Sequence, residues 1–110
     1  MIITKQGTTS IVTREATTFQ EFMQRLGDEY PRLQHDHIII DLFSLESITH
    51  VEIADFLSLS KNHRSNKKSF VIVSRSVAID KVPEELSVVP TLQEAHDIIE
   101  MEEIERDLLG

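Results

Sequence analysis

The chain has 110 residues, 40% apolar and 27% charged, with no cysteine and a formal net charge of −8. This is the length of one domain able to build its own core, and it excludes disulfides, thiolate metal sites and thiol nucleophiles. Residues 1–83 carry ten basic and ten acidic side chains, while residues 84–110 carry nine acids against Arg106, the opposite of the basic footprint a nucleic-acid binder needs.

The chain opens on "MIITKQGTTS", which lacks the basic start and long apolar run of a signal peptide. No later run approaches the ~18 apolar residues of a membrane span. A soluble, cytoplasmic protein is expected, with no membrane partner. "IITK" and "SIVT" are β-rich runs on either side of "QGTT", where Gly7 can adopt the positive φ of a tight turn. They predict a hairpin.

In "TTFQEFMQRLGDEY", Phe19, Phe22, Met23, Leu26 and Tyr30 repeat at the spacing of one helical face. Thr18 and Glu21 stand at capping-box spacing, and Pro31 is expected to end the helix. "HIIIDLF" then reads as a strand buried on both faces, as in parallel sheets. Thr49 and Glu52 repeat the capping-box spacing ahead of a helix that should bury Ile53, Phe56, Leu57 and Ser60. That helix ends in "KNHRSNKK", where Lys61, His63, Arg64, Lys67 and Lys68 read as a solvated cationic terminus suited to the helix dipole.

"SFVIVSR" is a further buried strand, "DKVPEE" a loop or single helical turn, and "LSVVP" a short last strand. Thr91 and Glu94 give a third capping box for the final helix. Its apolar positions are Leu92, Ala95, Ile98, Ile99, Met101, Ile104 and Leu108, and its other face is dense in Glu. The last three strands are joined by crossovers and should be parallel with right-handed connections. The expectation is a single α/β domain over residues 1–110, a mixed β-sheet with an N-terminal hairpin, parallel inner strands and about four helices.

Catalytic machinery is not expected. His35 and His37 form a His-x-His pair, but a zinc site needs three or four ligands, and no further His or Asp completes a metallohydrolase motif. The chain has three glycines, none in phosphate-loop spacing, and no serine sits in a nucleophile elbow. Glu102 and Glu103 are adjacent on a helix and point in different directions, a poor acid/base pair. No cofactor or metal is expected. The hydroxyls of Ser44, Ser47 and Thr49 lie at or before a helix start, where a phosphate would gain from the helix dipole. Taken singly, Thr49 is explained as an N-cap and the serines as ordinary turn residues.

The element order, and above all the segment "HIIIDLFSLESITHVEIADFLSLSKNHRSNKKSFVIV", resembles the STAS domain, the fold of bacterial anti-sigma factor antagonists. Asp41, Leu42, Leu45, Ile48, Ile53 and Leu57 match the hydrophobic spacing of that family. Its Asp-Ser-Ser-Gly-like phosphoacceptor motif does not match, because Thr49, His50, Val51 and Glu52 stand in its place. The resemblance implies a non-enzymatic interaction and regulatory module without the usual serine switch. The implied partner is a regulatory protein, either anti-sigma or kinase-like, or an enzyme. It would be met around Ser47, Thr49, His50 and Glu52, with Ser47 or Thr49 as substitute modification sites. Self-association through the hairpin edge or the acidic helix, forming a homodimer, stays open. The C-terminal "VVPTLQEAHDIIEMEEIERDLL" is similar to short chains that carry the name ribonuclease Z. The metallohydrolase signature of that enzyme is missing here, so the likeness implies kinship by name only. The rival readings are a small metal-dependent hydrolase or nuclease using His35 and His37, and a small-ligand sensor.

Overall fold

A computed structural model describes residues 1–15, 17–42, 48–75 and 81–109. Ile2–Gln6 (β1) and Thr9–Thr13 (β2) form the antiparallel hairpin, turning at Gly7, whose φ of 60° lies in the left-handed region. The rest of the sheet is parallel: β2 pairs with His37–Asp41 (β3), β3 with Phe70–Val73 (β4), and β4 with Ser87–Val89 (β5). Strand order in the five-stranded sheet follows chain order, as expected for an α/β domain whose connections all advance the same way. Of the "DKVPEE" segment, Asp80 lies outside the described residues, and the rest closes one turn before β5, with the Leu86 N–H donating to the Pro83 carbonyl.

Among the described residues, four helical segments cover the sheet: Phe19–Leu33 (α1), His50–Ala54 (α2), Leu57–Ser65 (α3) and Leu92–Leu109 (α4). Segments α2 and α3 are one helical region interrupted at Asp55 and Phe56, so the architecture is three helices with the middle one broken. Crossovers of one hand, advancing across the sheet, put α1 and α2–α3 on the same face. Phe22, Leu26, Leu33, Ile53 and Phe56 there meet Val12, Ile38, Ile40, Phe70 and Ile72. The opposite face carries α4, where Ala95 and Ile99 meet Ile11, Ile39, Val71 and Val73. Alternate residues of β3 and β4 thus enter different cores, which explains why their sequences are continuously apolar.

Three expectations need correction. Helix α1 does not stop before Pro31. The proline sits in its last turn and the helix continues to Leu33, which is buried. So near the end, proline deprives only the Gly27 carbonyl of a helical donor, and the packing of Leu33 outweighs that loss. His63 is not part of a solvated cationic terminus. It continues the row of Phe56 and Ser60 into the core and is fully buried. Third, the apolar positions of α4 do not share one buried face. Ala95 and Ile99 are buried, but Met101, Ile104 and Leu108 are exposed. In the second half of α4, charged side chains point inward instead, because the surface they meet is polar at His37 and Ser69.

Candidate functional site

The start of α2 is built as the sequence predicts. The Thr49 hydroxyl accepts the Glu52 N–H at 3.1 Å, and the Glu52 carboxylate accepts the Thr49 N–H at 3.1 Å. Ile48 before the cap and Ile53 at the fourth helical position are both buried in the same core, a hydrophobic staple. This fixes how the chain enters the helix. His50 and Val51 then project outward, and Val51 is 63% exposed despite its apolar side chain. Of the residues between β3 and α3 singled out in the sequence, Leu42, Ile48 and Ile53 are buried and Leu57 is half-buried, while Leu45, Ser44 and Ser47 lie outside the described residues. Thr49, His50 and Glu52 are therefore brought together in one turn.

At the opposite end of the sheet lies a polar cluster that sequence reasoning missed. His37 opens β3 and is buried. Its Nδ1 accepts the Ser69 backbone N–H at 2.9 Å, so the ring proton must sit on Nε2, which donates to Glu103 at 2.6 Å. The neighbouring Glu102 turns the other way. It accepts from Arg64 at 2.6 Å and from the Ser69 hydroxyl at 2.6 Å, and Arg106 donates to that hydroxyl at 2.9 Å. Ser69 and His37 stand where the sheet-facing surface ceases to be apolar, so the second half of α4 meets it with Glu102, Glu103 and Arg106.

His63 is held equally firmly. The Asp36 carbonyl can only accept, so Nε2 carries the proton and donates to it at 2.7 Å, while Nδ1 accepts the Tyr30 hydroxyl at 2.7 Å. The Asp36 carboxylate in turn accepts the Ser10 hydroxyl at 2.9 Å and pairs with Lys5 at 3.5 Å. Burial pushes the pKa of both imidazoles below the ordinary 6.5. The Glu103 hydrogen bond opposes this at His37 and the Asp36 carbonyl opposes it at His63, but burial dominates at both.

The "HDH" motif is thereby resolved into three separate roles. His35 is exposed, Asp36 anchors the loop, and both ring nitrogens of His37 are already engaged. Neither nitrogen of His37 has a free lone pair for a cation. Among the described residues, no three His, Asp or Glu side chains converge in a metal-binding group. No helix among them is long and apolar enough to cross a membrane. The sequence did carry one signal for the cluster: Ala95, Ile99, Glu102 and Arg106 follow one helical row, so a buried row running into Glu and Arg points to buried charge. The chain matches no protein-family model and no curated protein closely enough to show a family.

Proposed function

We propose that this chain is a non-enzymatic protein-interaction and regulatory module. In this reading it is a STAS-like, anti-sigma factor antagonist-like domain with the phosphoacceptor serine replaced. It acts in the cytoplasm by docking a regulatory protein, anti-sigma or kinase-like, or an enzyme, onto the first turn of α2. The observation that carries the reading is Val51. An apolar side chain is held outward beside exposed His50 on a helix start that is rigidly capped and stapled. Such presentation lowers the ordering cost of binding. The net charge of −8 argues against nucleic acid as the partner.

Regulation by a hydroxyl would fall on Thr49 among the described residues. Its hydroxyl lies 3.3 Å from the Glu52 carboxylate. A phosphate there would remove the cap and set two anions against each other, so phosphorylation of Thr49 would loosen the docking turn.

The test is a pull-down from native lysate with the wild type and the Val51→Asp variant, followed by intact-mass analysis of the recovered chain. A defined regulatory protein retained by the wild type and lost from the variant supports the reading. Equal capture by both chains would remove it. Tight stoichiometric zinc binding that disappears in a His35→Ala/His37→Ala double variant would replace it with the hydrolase reading.

A further inference from the structure

A second surface lies on the far side of the sheet from α2. Met101, Ile104 and Leu108 are 60%, 55% and 81% exposed, and their spacing places them in one stripe along the outer side of α4. Toward the sheet edge the stripe continues through half-buried Ile98 into a shallow cavity of about 310 Å³, lined by Val82, Pro83, Leu86 and Val88. Val82, Leu86, Val88 and Ile98 also pack against the cores, but Met101, Ile104 and Leu108 are not needed for folding, because α4 already binds the sheet through Ala95, Ile99 and its inward charges.

The charge around this path selects its occupant. Glu84 lines the cavity, and Asp97, Glu100, Glu105 and Asp107 are exposed on the same helix. Arg106, the arginine of α4, points inward to Ser69 and Glu102, and exposed Lys81 beside Val82 is outnumbered by these acids. Two copies of α4 brought face to face would oppose acid to acid across the stripe. A segment with apolar residues at helical spacing and flanking lysine or arginine would fill the stripe and answer the acids at once.

We propose that the outer face of α4, from the cavity at Val82 and Ile98 to Leu108, docks a basic amphipathic helix of a partner protein. This surface is independent of the α2 turn, so the domain can hold two proteins on opposite faces of its sheet.

The test uses isothermal titration of the full chain with two synthetic peptides that share leucines at helical spacing, one flanked by lysine and one by glutamate. The lysine peptide should bind with a Kd of about 1–100 μM at low salt, weakening as salt rises, and the glutamate peptide should not bind. Ile104→Asp combined with Met101→Asp should weaken the lysine peptide by roughly tenfold or more, the loss of two buried anchors. These positions are exposed, so the variant should keep the wild-type circular dichroism spectrum and thermal midpoint. Val51→Asp should leave peptide binding unchanged, which separates this surface from the α2 reading. Equal binding of the lysine peptide to the wild type and the double variant would overturn the proposal. So would equal binding of both peptides, or a concentration-dependent dimer in sedimentation that the double variant abolishes, since that would give the face to a second copy.

Discussion

His37 and His63 are buried as neutral imidazoles, each committed to one tautomer by a backbone group. At His37 the constraint is severe. Protonating Nδ1 would turn an acceptor into a donor facing the Ser69 N–H and leave that buried amide without a partner. Burial lowers both pKa values below 6.5, so the folded chain binds fewer protons than the unfolded chain in this range. Stability is therefore fully present above 6.5 and falls as pH drops from 6.5 toward the lowered folded-state values. Urea unfolding at pH 7.5 and 5.5, above the carboxylate range, should show a lower midpoint at pH 5.5. In His37→Asn, whose side-chain carbonyl can still accept the Ser69 N–H, the difference should shrink. A midpoint that rises on acidification over this window would contradict the assignment. The burial of His63 was legible in principle, since it follows Ser60 by three and Phe56 by seven, but a string of cations masked the periodicity. The role of His37 was not legible, because its partner Glu103 lies 66 residues away and only the fold brings them together.

Helix boundaries show where local signals suffice and where they do not. Thr18, Thr49 and Thr91 each accept the backbone N–H of the acid three residues on, so all three helix starts were readable from their capping-box spacing. Helix ends were harder. Pro31 misled because burial of Leu33 is decided by tertiary packing. The end of α3 uses Lys67 at φ 63°, the non-glycine residue with positive φ among the described residues. The Lys67 N–H donates to the Arg64 carbonyl at 2.9 Å, so the left-handed turn closes the helix. A side chain in this conformation costs ~1 kcal/mol that glycine avoids. Lys67 is exposed, and its removal forfeits little packing. Lys67→Gly should raise stability by about 0.5–1 kcal/mol, read as a higher urea midpoint at unchanged slope. The apolar row of α4 misled for a different reason. Its hydrophobic positions drift around the helix, and sequence alone does not say that the sheet becomes polar at Ser69 and His37.

The two faces of the sheet are unequal, and that asymmetry governs how the molecule should open. On the α1–α3 face, Phe56 packs edge-on against Phe19 and Phe22, with ring centroids 5.8 and 6.4 Å away, and lies 6.3 Å from Phe70. On the other face α4 buries Ala95 and Ile99 and relies for its second half on the hydrogen bonds of Glu102, Glu103 and Arg106. Apolar contact is the larger share of stability, and charge-assisted bonds near the surface give back much of their gain as desolvation. Phe56→Ala should therefore cost ~3–5 kcal/mol and Ile99→Ala nearer ~2 kcal/mol. Native-state hydrogen exchange should divide along the same line. Amides of β3 and β4 should exchange only through global unfolding, while those of α4 should exchange through a cheaper opening in which the helix leaves an intact sheet. The polar half of that interface includes His37, so acidification from pH 7.5 to 5.5 should speed the openings of α4, after correction for intrinsic exchange, and His37→Asn should reduce that acceleration. Equal protection of α1 and α4 at both pH values would show that the sheet and both of its layers open as one unit.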